Sequence, residues 1–178
     1  LSHVTVFEVP TYHKLLITSD VAVIPAPDFK QKTAITQYVI NTAKTLGIET
    51  PKVAMIAPTE QMSVGIPSCV DAALIAAMGN RGQIKGAIID GPLALDVAID
   101  KESAQIKKLK GEVAGDADCL VWPNIESGNV FYKSCTKFAK AELAAMVVGA
   151  KVPCVLSSRG DSTKTKMYSI ALAALSCK

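Results

Sequence analysis

Cys119-Leu120-Val121-Trp122-Pro123-Asn124-Ile125-Glu126-Ser127-Gly128-Asn129 runs from an uninterrupted apolar stretch straight into a polar, glycine-containing turn. Successive side chains of a strand point to opposite faces, so a strand apolar at every position has both faces covered. The turn after it opens a helix, whose first N–H groups have no intrahelical partner and carry partial positive charge. Helical spacing puts Phe131, Cys135, Phe138 and Ala139 on the inner face of that helix, with Lys133, Lys137 and Lys140 roughly opposite.

The same unit recurs on either side. Val53 to Ala57 is a short apolar strand, and Ser68 with Asp71 is expected to cap a helix carrying Val70, Leu74, Ala77 and Met78 on one face. Ala87-Ile88-Ile89 leads into an Asp90-Gly91-Pro92 turn and a second helical region through about Leu109. Val152 to Leu156 is expected to be the last strand. The turn Ser157 to Ser162 follows it, then a helix facing inward through Met167, Ile170, Ala171, Ala174 and Leu175. Toward the start, Val4 to Val9 and the Leu15 to Ile24 region read as extended segments. Asp28 and Gln31 form a capping box for a helix with Ile35, Tyr38, Val39, Ala43 and Leu46 on one face and Gly47 as its stop. Strand-helix alternation with apolar strands predicts an α/β chain folded as a three-layer α/β/α sandwich.

At 178 residues one main core is expected. Hydrophobic residues at 49% against 20% charged exclude a disordered chain, and aromatics at 5% leave Ala, Val, Ile and Leu to fill the interior. The net charge of +3 is spread along the chain, which argues against bulk nucleic-acid binding while leaving room for a local site for a phosphorylated small molecule. No window reaches the roughly 18 apolar residues that a membrane span needs, and no signal-peptide pattern opens the chain. The opening at Leu1, without methionine, suggests a preceding segment. Cys69, Cys119, Cys135, Cys154 and Cys177 are odd in number and show no CxxC spacing, the usage of reduced cytoplasmic thiols; Cys119 and Cys154 are expected to be buried in strands.

In such sheets ligands gather where strands end and helices begin. Ser157-Ser158-Arg159-Gly160-Asp161-Ser162 sets a guanidinium, hydroxyls and a carboxylate on one turn, with Gly160 allowing close backbone approach, a pattern suited to phosphate. The alternative is that Asp161 or Ser162 merely caps the last helix while Arg159 pairs with a surface carboxylate. Ser127, Gly128 and Asn129 are candidates for receiving an anion or a carbonyl oxygen, against simple helix capping, and Lys137 for attracting phosphate, against plain solvation. Asp90-Gly91-Pro92 and Asp96 have a sufficient local explanation as turn formers. His3 and His13 lack Cys, Asp or Glu at metal-ligand spacing, so no metal site is expected. Gly79-Asn80-Arg81-Gly82 lacks the ending and the strand-first context of a P-loop and reads as a helix C-cap.

Ile88 to Asp96, Val113 to Asp118, Val121 through Asn129, Tyr132-Lys133 with Lys140-Ala141-Glu142, and Ser158-Arg159-Gly160 together resemble, in order and spacing, the phosphate acetyl/butyryltransferase family. Gly91 to Asp96, and Asp161-Ser162 followed by Lys166 to Leu172, resemble its butyryltransferase branch. The resemblance implies an isocitrate/isopropylmalate dehydrogenase-like fold and a homodimer. It implies reversible transfer of an acyl group from acyl-CoA to inorganic phosphate, giving coenzyme A and an acyl phosphate, with coenzyme A as a substrate and no cofactor or metal in the chemical step. The alternatives are an acetyltransferase, a non-catalytic binding or assembly fragment, or a dehydrogenase of the same fold, which the absence of a metal-binding carboxylate cluster and nucleotide fingerprint disfavours.

Family members are longer. Residues 1–151 resemble their second α/β domain, and 152–178 a strand and helix returning to pack with an N-terminal domain. By the resemblance Ser158 and Arg159 match a Ser-Arg pair that, together with an Asp two turns further on, serves the phosphate, the oxyanion and the thiol, while Lys137 stands where the acetyltransferases carry Arg. Thr165 stands where they carry an Asp base, which makes Asp161 the candidate replacement. Ser157 and Gly160 complete the expected phosphate and coenzyme A contacts beside Ser127, Gly128 and Asn129.

Overall fold

The computed structural model describes residues 1–158 and 160–177. Its strands are β1 (Ser2–Glu8), β2 (Leu16–Ser19), β3 (Lys52–Ile56), β4 (Ile88–Leu93), β5 (Cys119–Val121) and β6 (Glu142–Val148), and they form one sheet in the order β4-β3-β5-β2-β1-β6. The β4, β3, β5 and β2 strands run parallel, whereas β1 is antiparallel to both β2 and β6. The helices are α1 (Phe29–Thr45), α2 (Pro67–Asn80), α3 (Leu95–Ile99), α4 (Lys101–Ile106), α5 (Ile125–Lys137) and α6 (Thr163–Leu175).

Side-chain alternation divides the strands between two cores. Val53, Met55, Cys119 and Val121 meet Ile35, Val39 and Ile75 of α1 and α2 on one face. Ala54, Ile56 and Leu120 meet Val97 of α3 and Tyr132 and Cys135 of α5 on the other. The three-layer α/β/α sandwich follows, because these strands are apolar at every step. The expected capping box is present: Asp28 Oδ1 accepts from Gln31 N–H at 2.7 Å and Gln31 Oε1 from Asp28 N–H at 2.8 Å. Gly47 takes a φ of 88° just beyond the α1 C-cap, a conformation glycine adopts without strain.

Several expectations are corrected. Ser68 and Asp71 do not cap α2, which starts at Pro67 behind Ile66 without a side-chain cap; Asp71 instead accepts from Lys32 Nζ at 2.6 Å. The buried face of α2 is Cys69, Ala72, Ile75 and Ala76, leaving Leu74 exposed. Asp90-Gly91-Pro92 lies inside β4, where the pairing with β3 shifts register and Gly91 packs so closely that a Cβ there would fall 2.6 Å from Met55 Cβ. The extended region from Leu15 ends at Ser19, since Asp20 pulls the following backbone into a loop. Phe138, past the last turn of α5, is exposed, and Tyr132 takes an inner position.

Val152 to Leu156 is not a strand. Only Cys154 bridges to Val147, at 2.8 and 3.4 Å, and the Cys154 side chain is exposed at the edge of the sheet. The edge strand is β6, which the sequence reading did not assign. Its Ala145 N–H donates to Ser169 Oγ of α6 at 3.0 Å, so α6 covers part of that edge. The buried residues of α6 are Ser169, Leu172 and Ala173; Met167, Ile170 and Leu175 face outward. Among the described residues no helix is long and apolar enough to cross a membrane.

Candidate active site at the carboxyl edge of the sheet

The parallel strands β2 and β5 end at Ser19 and Val121, and the antiparallel β1 begins at Ser2 on that same edge. Asp20, directly after β2, is buried and accepts from Ser2 Oγ at 2.8 Å and from the N–H groups of Ala22 and Val23 at 2.7 and 2.9 Å. His3 and Ile24 N–H groups add bonds of 3.2 Å each. This carboxylate is thereby used in fixing the loop over 20–24. Asn129 of α5 holds the same loop from the other side, donating from Nδ2 to Val21 O at 3.0 Å.

Opposite that loop lies the turn before α6. Asp161 Oδ2 accepts from Ser158 N–H at 2.7 Å while Asp161 N–H donates to Ser158 O at 3.0 Å. The reciprocal pair pins Ser158 and Asp161 together. Tyr132 of α5 donates its hydroxyl to Asp161 Oδ1 at 3.4 Å, tying the turn to the helix. Burial first, then the charge of Asp161 and this bond, push the Tyr132 phenol up to about 12, so it stays a neutral donor. Ser162 caps α6, its Oγ accepting from Thr165 N–H at 3.1 Å.

Two cavities meet at this turn. The larger, about 370 Å³, lies between the 20–24 loop and the turn and is lined by His3, Val21, Ala22, Ala145, Leu156 and Ser157, among others. The smaller, about 170 Å³, includes Thr136, Lys137, Gly160 and Thr165. Tyr132, Lys133, Ser158 and Asp161 line both. One side offers apolar walls and the other hydroxyls and a lysine, an arrangement able to take an acyl chain and an anion on either side of Ser158.

The structure therefore brings Ser157, Ser158, Gly160, Asp161, Lys137 and Asn129 to the cavity walls. Ser127 and Gly128 are not brought there. Ser127 N–H donates to the N-cap Asn124 Oδ1 at 3.0 Å and its Oγ to the same oxygen at 2.6 Å, which is helix capping. Gly128 is a point of close packing, where a Cβ would sit 2.3 Å from Asp20 O. With Ile125 N–H donating to Pro25 O at 2.9 Å as well, the start of α5 spends these donors internally. Arg159 lies outside the described residues.

His3, Tyr132 and Lys133 are wall residues that the sequence reading passed over. His3 was weighed only as a metal ligand, and its sole signal is a polar ring at a position facing the same side of β1 as Phe7, whose ring packs against Tyr132 at 5.6 Å. Lys133, next to Tyr132, is exposed and lines both cavities.

Comparison with known proteins identifies the family. The chain is 48% identical over 175 residues to the phosphate butyryltransferase of Clostridium acetobutylicum, covering 98% of this chain and 58% of that protein. It is 42% identical over 175 residues to the phosphate acetyltransferase of Thermotoga maritima, covering 98% and 60%. The crystal structure of a branched-chain phosphotransacylase from Enterococcus faecalis V583 superposes with a TM-score of 0.89 at 37% identity, covering 98% of this chain and 62% of that one. The chain spans about three fifths of the length of the curated relatives it matches. The sequence pattern described as Phosphate acetyl/butaryl transferase matches residues 1–174, and the chain belongs to that family.

Proposed function

We propose that the protein transfers a butanoyl group reversibly between coenzyme A and inorganic phosphate, and that this chain supplies one wall of the site. The observation that carries the reading is the junction of an apolar and a polar cavity at Ser158, with Lys137 on the polar side. Butanoyl rather than acetyl is supported by higher identity to butyryltransferases than to acetyltransferases, and by apolar walls at Val21, Ala22, Ala145 and Leu156.

In the direction of acyl phosphate consumption, the thiolate sulfur of coenzyme A attacks the acyl carbonyl carbon. A C–S bond forms, the carbonyl oxygen becomes an oxyanion, and the carbon–oxygen bond to phosphate breaks with its electron pair leaving on phosphate. In this reading the Ser158 hydroxyl donates to the oxyanion, where one such donor is worth roughly 10²- to 10³-fold in rate. Lys137 attracts the phosphate as a point charge, without the bidentate fork of an arginine. Arg159 is assigned to the phosphate by family resemblance alone.

We assign residues 152–178 to packing against a further domain, in line with the exposed apolar residues Met167, Ile170 and Leu175. Homodimer formation and a cytoplasmic location belong to the same proposal.

The test is a chimera in which this chain replaces the 175 residues it matches in the Clostridium acetobutylicum relative. Release of coenzyme A thiol from butanoyl-CoA plus phosphate is expected, faster than from acetyl-CoA, with Ser158→Ala slowing kcat about 10²-fold. A folded chimera that releases thiol from neither substrate would contradict the reading.

A further inference from the structure

We propose that His3 is the general base of this site, taking the proton from the coenzyme A thiol, with Thr5 orienting its imidazole and Asp161 on the wall of the same cavity. The inference rests on the acyl-transfer reading above and supplies its proton acceptor.

A free thiol, with a pKa of about 8.5, is only a few per cent ionised at neutral pH, so a positioned acceptor is worth roughly 10²- to 10⁴-fold. The carboxylates at the edge are already employed. Asp20 accepts from Ser2 Oγ and from the N–H groups of His3, Ala22, Val23 and Ile24, so both of its oxygens are engaged within the loop. Asp161 receives Ser158 N–H on one oxygen and the Tyr132 hydroxyl on the other. Tyr132 is a neutral phenol and Lys133 a cation, so neither takes a proton at pH 7.

His3 remains. Strand alternation turns it, with Thr5 and Phe7, toward the α5 side of β1, while Val4 and Val6 enter the opposite core. It is buried, yet it lines the larger cavity together with Ser158 and Asp161. Thr5 Oγ1 lies 3.3 Å from its Nδ1. With Nδ1–H donating to that hydroxyl, Nε2 carries the free lone pair. Burial pulls the imidazole pKa below the ordinary 6.5, and the negative charges of Asp20 and Asp161 oppose that shift without cancelling it. The ring is therefore neutral at pH 7, and the same carboxylates stabilise the imidazolium once it forms.

The step balances without an outside reagent. The S–H bond breaks, its proton moves to His3 Nε2, and the sulfur lone pair forms the C–S bond. The proton then passes from the imidazolium to the departing phosphate, returning His3 to its neutral form. In reverse, His3 takes the proton from phosphate and gives it to the departing thiolate.

The test uses the chimera described above. His3→Gln is expected to lower kcat about 10²- to 10³-fold with KM for phosphate within about threefold, to remove the acid limb of the kcat/KM profile, and to be partly rescued by added imidazole. Thr5→Val, nearly isosteric, is expected to lower kcat about tenfold while the acid limb survives, which separates lost orientation from lost folding. In the chain itself, NMR titration of the His3 ring should give a pKa below 6.5 that falls further in Asp161→Asn. An active wild-type chimera whose His3→Gln variant keeps its rate and its acid limb overturns the assignment alone. An inactive wild-type chimera overturns the transfer reading and this role with it. A His3 pKa indifferent to Asp161→Asn overturns the electrostatic support from Asp161.

Discussion

Gly128 sits where α5 presses on the loop that follows β2. A Cβ at that position would stand 2.3 Å from Asp20 O and 3.0 Å from Trp122 Cδ1, and the first of these is backbone that cannot swing aside. Gly128→Ala is expected to cost about 1–3 kcal/mol in urea unfolding, as overpacking of a close contact does. A change below about 0.3 kcal/mol would mean that the loop yields freely. At this scale the sequence was legible wherever function and turn chemistry share residues. Ser157, Ser158, Gly160 and Asp161 could be picked because hydroxyl, glycine and carboxylate cluster on one turn. His3 could not, because nothing local marks it: its neighbours Asp20 and Asp161 come from distant parts of the chain and meet it only once β1 lies in the sheet.

Elements were legible where one stripe of a helix is apolar and the rest is polar. The α1 helix has such a stripe, between a capping box and Gly47, and it follows the pattern. In α2 and α6 apolar residues occur nearly all round, so periodicity alone could not choose the buried face. The long-range partners chose it, burying Ile75 in α2 and Leu172 in α6. Ala144-Ala145-Met146 suits a helix as readily as a strand, and only pairing with β1 makes β6 of it. The cap of α6 ties element to site, since Ser162 follows Asp161 directly. Ser162→Ala is expected to lower stability by about 1 kcal/mol and to speed amide exchange in the first turn of α6. Unchanged exchange at Thr165, whose N–H is the capped group at 3.1 Å, would show that the cap carries no weight.

For the whole molecule, the strand order decides where chemistry can occur. The carboxyl ends of β2 and β5 and the start of β1 share one edge. At the other end of the strands, Asp116 and Asp118 are bound by Lys14 and Lys52: Lys52 Nζ reaches Asp116 Oδ2 at 2.6 Å and Lys14 Nζ reaches Asp118 Oδ1 at 2.8 Å. Burial opposes ionisation of Asp116, but the bonds from Lys52, Lys14 and His13 outweigh it and hold its carboxyl well below the usual range. Ion pairs thus bind the loops at one end of the parallel strands, while the candidate cavities lie at the other. The α/β/α class was readable from alternating apolar strands and helices; the position of β6 and the loss of the expected strand at 152–156 depended on edge pairing, which has no local signature.

The central claim is that phosphate and acyl group meet at Ser158. A crystal of the chain soaked with phosphate and coenzyme A tests it most directly. The expected result is phosphate within hydrogen-bond distance of Ser158 Oγ and Lys137 Nζ, with the coenzyme sulfur on the side of His3. Phosphate and coenzyme A bound instead in the cavity of about 320 Å³ beside Tyr38 and Lys151, with the Ser158 turn empty, would contradict it.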